Sequence, residues 1–127
     1  MPYYTATVTL LAVFVYFLMA TRVAAARGRF KIDHPATTGQ PDFERVFRAH
    51  INTLEWMPIF LAPLWIAGFY FSDRAAAAVG LLWIVGRILY FVGYSKAVEK
   101  RVPGFLIQAV ACLLLMIGAI AGIVMRS

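Results

Sequence analysis

Arg45, Arg48, Asn52 and Glu55 are spaced three, four and three residues apart. On a helix turning about 100° per residue they lie within an arc of about 80°. Arg87, Tyr90, Tyr94 and Arg101 repeat the arrangement within about 60°, provided one helix carries all four. Pro103 is the first residue of that stretch able to stop it. Guanidinium groups hold carboxylates through paired hydrogen bonds, so stripes with several arginines and few acids call for an anionic ligand. The one carboxylate among them, Glu55, suits an ammonium group, and the ligand so described is a small zwitterion with surplus carboxylate. Two plainer readings each cover part of the pattern. Arg48 and Glu55 would pair along the helix with Asn52 between them, and tyrosines anchor helices at membrane interfaces.

The elements that must carry these stripes follow from composition. Of 127 residues, 62% are hydrophobic and 14% charged, more apolar surface than a water-soluble domain of this size needs. A membrane-crossing helix takes about 20 mostly apolar residues. Four helices are expected, at roughly 4–26, 43–71, 75–102 and 104–125. Lipid offers no hydrogen-bond partner, which leaves helices or a closed barrel, and continuous apolar runs without alternation favour helices. The expected fold is all-α, an integral membrane four-helix bundle of left-handed type, in one membrane domain over 1–127. A charge in hydrocarbon costs at least ~2.5 kcal/mol and normally faces a partner or a wet cavity, so the stripes are expected to line a cavity. Around it, apolar surfaces lead into lipid, from which a second, greasy substrate would arrive.

Ala24, Ala25 and Ala26 imitate a signal-peptide cleavage site, but nothing basic precedes the first apolar run, and the run is too long. The single cysteine, Cys112, forms no internal disulfide and reads as packing. Arg22, Arg27, Arg29, Lys31, Arg45 and Arg48 cluster around the first loop and Lys96, Lys100 and Arg101 around the third. The positive-inside rule therefore puts both loops, with the site, in the cytoplasm and both termini opposite. That distribution accounts for the net charge of +6, and without an aromatic-interleaved basic face no nucleic-acid partner is expected. Phe71 to Ala75 leaves only a tight turn between helices two and three, whereas the first loop, Lys31 to Pro41, carries prolines and a glycine that forbid regular helix. Gly118 and Gly122 would permit close helix approach, with ordinary packing the plainer meaning. No His/Cys cluster or HExxH-like spacing suggests a metal.

The run from Phe43 to Pro58, with Phe60-Leu61-Ala62, Leu64 to Gly68, Gly86-Arg87, Tyr90 to Tyr94 and the earlier Thr37-Thr38-Gly39, resembles the signature of the MAPEG family, the membrane-associated proteins in eicosanoid and glutathione metabolism. The likeness covers nearly the whole chain and is nearest to members of leukotriene C4 synthase and microsomal glutathione transferase 2 type. It implies a homotrimer with glutathione, a co-substrate, bound between neighbouring subunits near the cytoplasmic side. Arg48, Asn52, Glu55, Tyr90 and Tyr94 match the family's glutathione contacts, and Arg101 matches the arginine that supports the thiolate. Arg27 and His50 match positions reaching the site from the adjacent subunit. His50 lies about 200° around the helix from Arg48, and a helix-packing contact is its alternative role.

The activity so implied is a glutathione transferase, with peroxidase activity as a companion, acting on lipophilic electrophiles of the bilayer. Two departures bear on specificity. Trp56 replaces a tyrosine of the glutathione contact, and Gly28 stands where leukotriene-forming members carry a second arginine, which favours a general conjugating enzyme. A non-catalytic lipid-binding scaffold of the lipoxygenase-activating type shares the implied fold but lacks the arginine matching Arg48 and has a shorter acid at Glu55. A small multidrug exporter would need an acid in the first helix, and Tyr3 to Ala20 contains none.

Overall fold

Backbone polar groups with no water to turn to must be satisfied within their own segment. The computed structural model, which describes residues 1–127, meets this with four α-helices and no strand. These are α1 (Tyr3–Phe30), α2 (Pro41–Tyr70), α3 (Asp73–Lys96) and α4 (Val102–Arg126), with a 3-10 turn, Val98–Arg101, between the last two. By length and composition α1, α3 and the Val98–Arg126 stretch can each cross a membrane. The second helix falls outside that group, since its 30 residues carry the polar stripe and two internal prolines, Pro58 and Pro63.

α2 and α3 form the centre of the bundle; α1 packs against both, and α4 packs against both. Ring stacking of Phe60 on Trp83, 3.9 Å between centroids and 2° between planes, joins the central pair. Buried Trp83 donates its indole N–H to Gln108 Oε1 at 3.1 Å, tying α3 to α4. Where backbones come closest, side chains are missing: a Cβ on Gly122 would stand 2.6 Å from the Tyr70 carbonyl carbon. The Gly118/Gly122 pair thus serves contact of α4 with α2 inside this chain, in keeping with ordinary packing.

Most helix boundaries fall within a few residues of expectation, and one does not. α3 was expected to run to residue 102 and ends at Lys96. Ala97 is extended (φ −161°, ψ 149°), and the chain re-enters a tighter helix whose first bond runs from the Lys100 N–H to the Ala97 carbonyl at 3.1 Å. Pro103 therefore starts α4 rather than ending α3, because proline near a helix N-terminus lacks only an N–H that would have had no partner. The break folds back tightly, since a Cβ on Gly93 would collide with the Lys100 carbonyl oxygen. At the other end of the bundle α1 runs on to Phe30 and stops at Lys31, in the left-handed region at φ 57°, so Arg27 and Gly28 are helical residues.

α1 has no side-chain cap of its own. Asp73, at the start of α3, supplies one: its carboxylate accepts from the Tyr4 N–H at 3.0 Å, the Thr5 N–H at 2.8 Å and the Thr5 hydroxyl at 2.7 Å. An anion on orphan N–H groups stabilises a helix start. Asp73→Ala is expected to destabilise the bundle by about 1–2 kcal/mol, read as a lowered thermal midpoint in detergent with glutathione handling unchanged.

Candidate functional site

The polar stripes converge where α2, α3, the 3-10 turn and the start of α4 meet. Arg87 forms the floor: it is fully buried, and its Nη2 donates to Asn52 Oδ1 at 3.0 Å and Thr53 Oγ1 at 2.7 Å. Thr53 in turn donates to the Ala49 carbonyl at 2.9 Å. A guanidinium can only donate, so the Asn52 atom facing it must be the oxygen, and the amide NH2 is left free as a donor. No carboxylate pairs with Arg87, as the one ion pair in the chain joins Arg45 to Asp42. Its charge rests instead on the face of Tyr90, 4.1 Å from the ring centroid, a contact that contributes about 2 kcal/mol when desolvated.

From Tyr90 the site continues outward. Tyr94 meets the Tyr90 ring edge-on, with centroids 5.6 Å apart, and the Arg101 guanidinium stands 5.6 Å from the Tyr94 centroid. Arg101 also donates to the Val98 carbonyl at 2.8 Å, which fixes it against its own turn. Although it is not on α3, it occupies the end of the row that the helical spacing assigned to it. Phe105, at the start of α4, closes one wall by packing edge-on against Trp56 (5.5 Å, 86°) and tilted against Tyr90 (6.2 Å). Arg48 and Glu55 share the Asn52 face of α2 but are exposed and make no ion pair with each other. The along-helix pairing of Arg48 with Glu55 is therefore not what the structure contains. These groups form an open shelf: a buried cation and two phenols below, Arg48, Glu55 and Arg101 at the edges, and the Asn52 amide between.

A model of the MAPEG family matches residues 5–121. The chain belongs to the MAPEG family. It is 45% identical over 116 residues to microsomal glutathione S-transferase 2 of Homo sapiens, covering 91% of this chain and 79% of that protein. It is 42% identical over 121 residues to leukotriene C4 synthase of Rattus norvegicus, covering 95% and 81%. An uncharacterised protein of Synechocystis sp. is 42% identical over 118 residues, covering 93% of this chain and 86% of that protein.

Within this MAPEG chain the structure brings together Asn52, Trp56, Tyr90, Tyr94 and Arg101, and it separates Arg27 and His50 from them. Arg27 donates to the Ala36 carbonyl at 2.8 Å and lies over the Phe43 ring at 5.1 Å. His50 stacks on Tyr16 of α1, 4.6 Å between centroids and 15° between planes. Both therefore stand on the α1 side of α2, Arg27 against Phe43 and His50 against Tyr16. Arg87 is the residue whose place sequence reasoning left open. It was part of the stripe but not among the site residues, and the available signal was an arginine in the middle of an apolar span with no acid spaced to pair with it.

Proposed function

We propose that this MAPEG protein is a membrane-bound glutathione transferase that holds glutathione on the shelf between α2 and the α3–α4 corner, ionises its thiol and joins it to lipophilic electrophiles. The observation that carries the reading is the buried, acid-free Arg87 beneath Asn52 and Tyr90, with Arg101 in the same row. Glutathione carries two carboxylates, one ammonium and one thiol. Arg48 and the free amide donor of Asn52 take carboxylate oxygens, and Glu55 takes the ammonium. Trp56 offers one N–H where a phenol would also have been able to accept.

A free thiol has a pKa of about 8.5, and a neighbouring cation lowers it. Arg101 is that cation. It keeps its own proton, so the thiol proton passes to water and the guanidinium stabilises the anion left behind. The thiolate then forms an S–C bond: with an aryl halide the carbon–halogen bond breaks and halide leaves, and with an epoxide the ring C–O bond breaks and the oxygen takes a proton from water. An activated alkene takes the sulfur at carbon and a proton from water, whereas with a lipid hydroperoxide an S–O bond forms as O–O breaks, the alcohol leaves, and a second glutathione converts the sulfenic acid to disulfide and water.

The proposed assembly is a homotrimer in which Arg27 and His50 of one subunit complete the site of the next, as their position on the α1 side of α2 suits. The 31–40 loop and the Ala97 turn face the cytoplasm under the positive-inside rule. To test the function, purified protein in detergent is assayed with glutathione and an aryl halide. Glu55→Ala is expected to raise the KM for glutathione about tenfold with kcat within about threefold. An unchanged KM would remove the ammonium contact, and absence of conjugation in the wild type would refute the activity.

A further inference from the structure

One well-formed cavity of the chain lies away from the shelf. It is a groove of about 510 Å³ between α1 and α3, floored by Val46 of α2. On α3 the mean direction of its lining residues Ile88, Phe91, Val92 and Ser95 is about 120° from that of Arg87, Tyr90 and Tyr94, with Phe91 the nearest to them. On α1 its residues point about as far from Arg27. The groove is therefore separate from the shelf and from the α1–α2 side. Its walls are apolar along most of their length, and its lining includes Arg22, Arg29 and Lys96 with no acid. None of the three cations has an ion-pair partner.

Depth along the bundle says what these cations meet. From Tyr3, where α1 begins, about 20 residues fill the hydrocarbon layer, which brings Arg22 to its edge and Arg29 beyond it. Counted the same way from Asp73, where α3 begins, the layer ends near Val92, with Lys96 one turn further. The two walls thus place cations together at headgroup level, above an apolar trough that lies within the hydrocarbon. Basic pockets between spans at that level bind anionic lipid headgroups.

We infer that the α1–α3 groove is a binding site for an anionic phospholipid of the leaflet on the side of the 31–40 loop. Its phosphate sits among Arg22, Lys96 and Arg29, and one acyl chain lies along Leu18, Phe91 and Val92. The site is independent of glutathione.

The test is native mass spectrometry of the full chain in detergent, with phosphatidylglycerol and phosphatidylcholine of identical acyl chains supplied in equal amounts. Wild type is expected to retain phosphatidylglycerol preferentially. The double variant Arg22→Gln with Lys96→Gln should lose about 25-fold in that preference, at about fivefold per cation. Lys31→Gln with Lys100→Gln removes the same charge from the same end outside the groove and should lose less than about threefold. Ala25→Trp, which fills the trough and leaves every cation in place, should lose retention while helical content stays at the wild-type level. Equal loss in both charge variants would mean bulk attraction rather than a site. No headgroup preference in the wild type, or a second copy of the chain released by the groove double variant in place of lipid, would overturn the proposal.

Discussion

Arg101→Ala is expected to lower turnover at pH 7 by up to about 30-fold, because a thiol of pKa about 8.5 is only about 3% ionised there without help. The sign of the pH dependence follows from the same cause. A cation lowers the thiol pKa, so the wild type already holds thiolate at neutral pH and its rate is nearly flat above it. The variant must wait for pH to ionise the thiol, and its rate should climb through pH 8–9 until the two enzymes converge. Arg101→Lys keeps the charge and should recover part of the difference. A defect of the same size at every pH would mean that Arg101 orients substrate instead of ionising it. The contact that sets the residue in place, over Tyr94 and bonded to the Val98 carbonyl, would then be its role.

Replacing Arg87 by leucine should separate binding from stability. Two hydrogen bonds from a cation contribute about 1.5–3 kcal/mol each, but burying that cation costs at least ~2.5 kcal/mol. The Tyr90 contact adds about 2 kcal/mol, but the buried Nε and Nη1 have no partner at about 1–3 kcal/mol each, so gain and cost nearly cancel and the thermal midpoint should move by only a few degrees. Affinity behaves differently. Without Arg87 nothing fixes which way the Asn52 amide points, and Tyr90 loses the charge on its face. Glutathione binding measured by calorimetry should weaken by roughly tenfold or more, while kcat at saturating glutathione stays within a few-fold. Asn52→Ala should reproduce most of the loss, and the double variant should add little, because the two residues act as one unit. Additive losses would separate them. Collapse of the helical signal in Arg87→Leu would show that the cation holds α2 to α3 rather than ordering the site.

Much of this arrangement was legible from spacing. The arcs name Asn52 on α2 and Arg87, Tyr90 and Tyr94 on α3, because a helical face is fixed by 3.6-residue periodicity whatever surrounds it; Arg45 of the same arc pairs with Asp42 instead, and Arg101 joins the row from the 3-10 turn. The same arcs cannot tell depth. Arg87 and Tyr94 fall within one narrow sector, yet one is sealed in the core and the other is half-buried, since depth depends on where α4 crosses. The break at Ala97 carries no local signal: alanine favours helix, and the chain leaves it where the 3-10 turn folds back with the Lys100 carbonyl against Gly93. Proline was the visible punctuation, and proline starts helices as readily as it stops them. Asp73 capping α1 from 68 residues away is tertiary by nature, and no window along the sequence contains both partners. The polar second helix was expected to span like the others. Its mixed composition is what a helix needs when one face carries a site, and it keeps α2 outside the group that is apolar enough to cross on composition alone.

The central claim is that this fold binds glutathione and makes its thiol an anion. Adding glutathione to the purified wild-type protein at pH 7 and following the ultraviolet absorbance of thiolate tests it without any second substrate. A saturable rise approaching one thiolate per occupied site, absent with the S-methylated tripeptide, is the predicted result. Saturable binding with no thiolate signal, or no binding at all, would contradict the account.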